Sequence, residues 1–116
     1  MKKFAQFNKQ RFTHELDTKD FEYYKLETLY KAQPDKTQRV YAIYRNDAGQ
    51  YGTSYAALLE KCYINLPQHV NKTCEDILND SEYIDLINAG KCGIKPRKYT
   101  DKNGKERYSV EWVDID

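Results

Sequence analysis

The run Tyr63-Ile64-Asn65-Leu66-Pro67-Gln68-His69-Val70-Asn71-Lys72-Thr73-Cys74-Glu75-Asp76-Ile77-Leu78 decides how this chain is read. Its hydrophobic period changes at Pro67. Before the proline, Tyr63, Ile64 and Leu66 belong to an extended segment. After it, Val70, Cys74, Ile77 and Leu78 recur at spacings that place them on one face of a helix. A proline in a first helical turn loses nothing, because that N–H has no intrahelical partner. A strand therefore ends and a helix begins here, and the other elements fall into order around this junction.

Upstream, Tyr51 to Leu66 reads as one long strand or two collinear ones. Asn46-Asp47-Ala48-Gly49 is turn chemistry, and Arg39 to Arg45 is a strand. Gln33-Pro34-Asp35-Lys36 marks another break. Residues 21–32 fit two periods: Glu22, Tyr24, Leu26, Thr28 and Tyr30 alternate as in a strand, while Leu26, Leu29 and Tyr30 share one side of a helix. Aromatic enrichment favours the strand. Residues 1–20 read as a mobile or loosely packed arm. It carries Lys2, Lys3, Lys9 and Arg11, with Phe4, Phe7 and Phe12 as anchors to the domain or to a second subunit.

Downstream, Asn79-Asp80-Ser81 interrupts the helix and Glu82 restarts it with Ile84 and Ile87. Gly90 favours a left-handed stop, so the helical block covers about 67–89. Gly93 to Thr100 and Glu106 to Ile115 are strands flanking Asn103-Gly104, a strong hairpin signal. Three strands, a helical block and two strands is the order of a five-stranded OB-fold barrel, with its helix between the third and fourth strands. The predicted fold is therefore all-β with one helical block, an arm over 1–20 and an OB-fold domain over 21–116.

The chain has 116 residues, 19 Lys and Arg against 18 Asp and Glu, and a formal charge of +1. That is the size of one domain. No stretch approaches the roughly 20 apolar residues of a membrane helix. Polar residues follow Lys2-Lys3 too soon for a secretory leader, so a cytoplasmic protein is expected. Cys62, Cys74 and Cys92 are odd in number and lack C-x-x-C pairing, which indicates buried free thiols rather than a disulfide framework or a zinc site. His14 and His69 lie in no recognisable nucleophile motif, and no Gly-rich phosphate loop is present. Glu75, Asp76, Asp80, Glu82 and Asp85 have neither calcium-loop nor two-metal spacing. The expectation is a protein without catalytic activity, cofactor or metal.

Binding is the better-supported class. Lys95, Arg97, Lys98, Lys102, Lys105 and Arg107 stand against Asp101 and Glu106 in the last hairpin, a local charge of +4. Eleven tyrosines are the compositional outlier; each can fill a half-buried strand position or present an exposed ring. Aromatic rings interleaved with cations suit single strands, because bases stack on rings while Lys and Arg follow phosphates. The candidate residues are Tyr41, Tyr44, Arg45, Tyr51, Tyr55 and Lys61, together with Arg97, Lys98, Tyr99, Lys105, Arg107, Tyr108 and Trp112. Alternation puts Tyr108, Val110, Trp112 and Asp114 on one face of the last strand. It leaves open whether Trp112 is core or platform.

The segments Tyr63-Ile-Asn-Leu-Pro-Gln-His69, Ile87-Asn-Ala-Gly-Lys91 and Tyr108-Ser-Val-Glu-Trp-Val-Asp-Ile115 resemble the single-stranded-DNA-binding proteins of virulent lactococcal phages. The resemblance covers nearly the whole chain. It implies an OB-fold, sequence-nonspecific binding of single-stranded DNA, a homodimer, and a part in phage DNA replication or recombination alongside recombinase or replication proteins. One departure is that Asp114-Ile115-Asp116 follows a strand directly, without the linker and Pro-Phe ending through which bacterial single-strand-binding proteins recruit partners. Two other readings compete: a protein-interaction module on the same barrel, acting as adaptor or host-protein inhibitor, and a small nuclease, which the lack of a carboxylate or His cluster disfavours.

Overall fold

The computed structural model describes residues 12–49 and 52–116. In chain order the elements are β1 (Tyr23–Lys25), α1 (Leu26–Ala32), β2 (Gln38–Arg39), β3 (Ala42–Gly49), β4 (Gly52–Leu58) and β5 (Tyr63–Asn65). They are followed by a 3-10 turn (Gln68–Val70), α2 (Asn71–Leu78), α3 (Ser81–Asn88), β6 (Cys92–Thr100) and β7 (Glu106–Asp114). The strands form two sheets, ordered β1-β5-β4-β3 and β2-β6-β7.

The two sheets share one bent run of chain. β2 pairs antiparallel with β6, matching Gln38 with Ile94, and β3 pairs antiparallel with β4, matching Ile43 with Ala57. Between them the Val40 N–H donates to the Cys92 carbonyl at 2.9 Å and the Tyr41 N–H donates to the Leu58 carbonyl at 2.8 Å. The chain thus changes sheets within two residues. Val40, Ala42 and Ile43, at 0–1% exposure, fill the corner.

The sheets do not close into a barrel, which corrects the five-stranded barrel expected from element order. The outer edge of β5 is taken by β1, which runs parallel to it with Tyr23 beside Tyr63. β7 pairs with β6 along its length, and α1 packs against the β6–β7 sheet. The segment read as a strand over 21–32 is therefore only three residues of strand followed by a helix. Leu26 buries its side chain and Leu29 packs against the core, while the Glu27 carboxylate meets Lys31 one turn on at 3.0 Å. Tertiary burial of the helical side outweighs the strand preference of its aromatics.

Two further boundaries differ. β4 and β5 are antiparallel partners, not collinear; the chain reverses between them, with the Leu59 N–H donating to the Cys62 carbonyl at 2.8 Å. Asn46–Gly49 stays within β3, where the register shifts, and the residues joining β3 to β4 lie outside the described residues.

The helical block falls where the sequence places it. Pro67 is extended and precedes the 3-10 turn. Asp80 caps α3 by accepting the Glu82 N–H at 2.9 Å, which satisfies an amide with no helical partner. Gly90, at φ +79, ends the block. In the last hairpin only Gly104, at φ +80, is left-handed. The reversal is therefore a longer loop rather than the two-residue turn that needs two left-handed residues.

One core joins both sheets and the helices through Tyr55, Leu58, Ile64, Cys74, Ile87 and Ile94. Each large aliphatic group buried there contributes on the order of 2 kcal/mol. Phe12, 7% exposed, is also part of it, and the Thr13 N–H donates to Asn88 Oδ1 at 3.0 Å. Among the described residues, packing into the core thus extends back to Phe12. Phe12 is an anchor as expected, whereas Phe4 and Phe7 lie outside the described residues.

Candidate nucleic-acid interface

Strand alternation gives the first sheet two unlike faces. Ile43, Ala57 and Ile64 lie abreast in register and point into the core. The opposite face carries Tyr23, Tyr63 and Tyr44. Parallel pairing sets Tyr23 beside Tyr63, and their rings stack with centroids 4.6 Å apart and planes 11° from parallel. Tyr63 continues to Tyr44 at 6.2 Å. The small side chain of Ala56, opposite both Tyr44 and Asn65, leaves room for this approach across β4.

Tyr23 is 59% exposed and Tyr44 40%. Phe21 meets Tyr63 edge-on, Phe12 meets Tyr44 edge-on, and His14 Nε2 is 3.2 Å from the Tyr44 hydroxyl. Partial burial raises the Tyr44 pKa above that of a free phenol, so the ring is a neutral stacking surface at physiological pH. Lys25 follows Tyr23 on the same strand, and Lys61 is exposed in the β4–β5 turn. Neither makes an ion pair among the described residues.

The second basic and aromatic set is the β6–β7 hairpin. Tyr99 pairs with Arg107, Arg97 with Ser109, and Lys98 with Tyr108. Tyr99 is 43% exposed and faces His69 edge-on at 6.4 Å. Asp101 organises the loop: its Oδ1 accepts the N–H groups of Asn103 at 2.9 Å and Lys105 at 3.0 Å. Its Oδ2 accepts from Arg107 Nε at 3.1 Å. The Lys105 amide, then Arg107, holds this carboxyl below its ordinary pKa.

The start of the helical block bridges the two hairpins. His69 Nε2 lies 2.7 Å from Ser109 Oγ, and Asn71 Nδ2 donates to the Thr53 carbonyl at 2.9 Å. On the β3–β4 side, Asp47 Oδ1 accepts from Arg45 Nε at 2.8 Å and from Thr53 Oγ1 at 2.9 Å.

The residues expected to bind separate into groups. Tyr55 is corrected outright: at 2% exposure it is core and cannot offer its ring to a ligand. Tyr108 and Trp112 are half-buried against the core, and Tyr108 also packs on Tyr30 at 5.7 Å. Tyr41 is half-buried, with the Arg39 guanidinium 4.3 Å from its ring centre. Tyr51 lies outside the described residues. Tyr44 and Tyr99 keep exposed rings.

Most of the expected phosphate-binding cations already face carboxylates. Arg45 meets Asp47, Arg97 meets Glu111 and Asp35, Lys98 meets Glu106 and Arg107 meets Asp101. Lys61 and Lys105 make no ion pair among the described residues. Exposed pairs of this kind contribute about 0–1 kcal/mol, so a phosphate can exchange for the carboxylate.

Sequence reasoning missed Tyr23 and Tyr63, because their meeting depends on a parallel pairing between distant segments. It also missed the contact of His69 with Ser109. That pair has the separation of a base and a nucleophile, and the His69 ring also meets Tyr99 edge-on. Among the described residues no group of three His, Cys, Asp or Glu side chains could hold a metal ion. No helix there is long and apolar enough to cross a membrane. No protein-family model, curated protein or solved structure matches the chain.

Proposed function

We propose that this chain binds single-stranded DNA without sequence preference, in support of phage DNA replication or recombination. The observation that carries this reading is the file of rings Tyr23, Tyr63 and Tyr44 on one sheet face, exposed at Tyr23 and Tyr44 and half-buried at Tyr63 between them. Exposed aromatics grouped on one face are a costly surface for a protein that leaves them bare, and every nucleobase has a face that can stack on them. Lys25, Lys61 and the basic hairpin supply cations for the backbone. The bent β2–β3 run pairs with both β4 and β6, and the helical block precedes β6. This supports an OB-like arrangement, opened where β1 occupies the edge of β5. The resemblance to phage single-strand-binding proteins points the same way, and a homodimer and recombinase or replication partners in the host cytoplasm belong to the same proposal.

Titration of a labelled oligo-dT with Tyr23→Ala and Tyr55→Ala separates platform from core. Tyr23→Ala should lose about 1–3 kcal/mol of binding with little change in melting temperature. Tyr55→Ala should lose about 3–5 kcal/mol of folding stability. Unchanged affinity in Tyr23→Ala would sink the assignment of this face, and absence of oligo-dT binding at low salt would sink the function itself.

A further inference from the structure

The tyrosine file ends at Tyr44, and His14 links that end to a separate pocket. His14 Nε2 lies 3.2 Å from the Tyr44 hydroxyl. The same residue lines a pocket of roughly 320 Å³ together with Thr13, Arg39, Tyr41 and Asn88. The pocket lies where the chain passes from β2 to β3, beside the end of α3. The bond from the Thr13 N–H to Asn88 Oδ1 holds residue 13 against that helix end.

Arg39 sets the chemistry of this pocket. Among the described residues Arg45, Arg97 and Arg107 each face a carboxylate, whereas Arg39 makes no ion pair. It is nevertheless held in place. Its guanidinium carbon lies 4.3 Å from the centre of the Tyr41 ring. Gly90, at φ +79, comes so close that a Cβ there would stand 3.1 Å from the same carbon. Contact with a ring restrains the side chain, and the planar fork of an arginine fits two oxygens of a phosphate. Glu15 also lines the pocket, but it is exposed and makes no ion pair with Arg39. His14 supplies a second donor. When the Tyr44 hydroxyl donates to Nε2, the ring proton sits on Nδ1, which is buried without a hydrogen-bond partner among the described residues. A buried donor left unpaired is costly, and an acceptor oxygen brought beside the ring satisfies it.

We propose that this pocket binds a phosphate group, with the Arg39 guanidinium gripping two of its oxygens and His14 donating to the phosphate through Nδ1–H. The phosphate belongs to the backbone of a strand whose bases stack on the tyrosine file, an assignment that rests on the single-strand-binding reading. His14 joins the two parts of the site, because it touches Tyr44 and lines the phosphate pocket. Gly90 serves the same site by leaving room for the guanidinium.

Inorganic phosphate, exchanged for chloride at constant ionic strength, is titrated into the full chain without nucleic acid and followed by heteronuclear NMR. The Arg39 Nε–H and the amides of Thr13, His14 and Gly90 should shift to saturation, and Arg39→Gln should abolish the saturable shift. If that variant fails to fold, His14→Phe, which keeps a ring and removes the donor, should weaken phosphate binding several-fold. Oligo-dT is then titrated across a salt series. Arg39→Gln should make the slope of log K against log salt shallower by about 0.7, one phosphate contact on a single strand. Arg39→Lys, which keeps the charge, should recover most of that slope. Shifts that grow linearly with phosphate, or that persist in Arg39→Gln, would overturn the pocket. Saturable phosphate binding with an unchanged slope in Arg39→Gln would overturn the backbone assignment and make this a site for free phosphate. If the parent chain does not bind oligo-dT, the backbone assignment falls with the single-strand-binding reading, and the phosphate titration still decides the pocket.

Discussion

At the scale of single residues, the tyrosines show how identical side chains acquire opposite roles. Tyr55 and Tyr44 sit one strand apart, yet parity turns Tyr55 into the core at 2% exposure and leaves Tyr44 40% exposed on the other face. Which ring is core was not legible, because neighbouring residues on each strand are apolar on both faces. Of the three thiols expected to be buried, Cys74 is, while Cys62 and Cys92 are half-buried. Cys74 is fully buried and its pKa is pushed up to about 12 by burial; Cys92 is half-buried and raised to about 11. A raised pKa means that the folded state keeps its proton after the unfolded chain has lost its own. Stability due to Cys74 is thus intact below pH 9 and is lost as pH rises from 9 towards about 12. Thermal melts of the Cys74→Ala variant should accordingly show a shallower alkaline decline than the parent. Parallel declines in the two proteins would refute the assignment.

At the scale of elements, the hairpins and helices depend on different information. The β6–β7 reversal was legible in Asn103-Gly104, but its form depends on Asp101, which binds two loop amides and Arg107. Its depressed carboxyl contributes above its ordinary pKa and ceases to as pH falls through the folded value. In Asp101→Ala the Asn103 and Lys105 amides should exchange with solvent faster, while amides of α2 and α3 stay protected. Slow exchange at both loop amides would show that the loop holds itself without Asp101. Residues 21–32 were the opposite case: both periods fit, and the helix won because Leu26 and Leu29 find the core while β1 needs only three residues to cover β5.

At the scale of the whole molecule, a formal charge of +1 hides a strong separation. The last hairpin and residues 1–11 are basic, and the α2–α3 block is acidic. Half of the hairpin cations, Arg97, Lys98 and Arg107, have a carboxylate partner, so their number overstates the counterions a nucleic acid would release. Lys25, Lys61, Lys102 and Lys105 make no ion pair among the described residues. At roughly −0.7 per phosphate contact on a single strand, four contacts give a slope of log K against log salt of about −3. Oligo-dT titrations across a salt series should return a slope near that value, shallower by about one contact in Lys61→Ala. A slope near zero would mean that stacking alone carries the binding.

The sequence by itself determined the helical block, its break at Pro67, its stop at Gly90, the final hairpin and the burial of Cys74. These features rest on local backbone preference and on hydrophobic period, which act over a few residues. The tertiary structure alone decided that β1 would occupy the edge of β5 and keep the two sheets from closing. It alone decided that Tyr23 would stack on Tyr63, forty residues away. Such pairings depend on which distant strand edge is available, and that is settled only when the whole chain has packed.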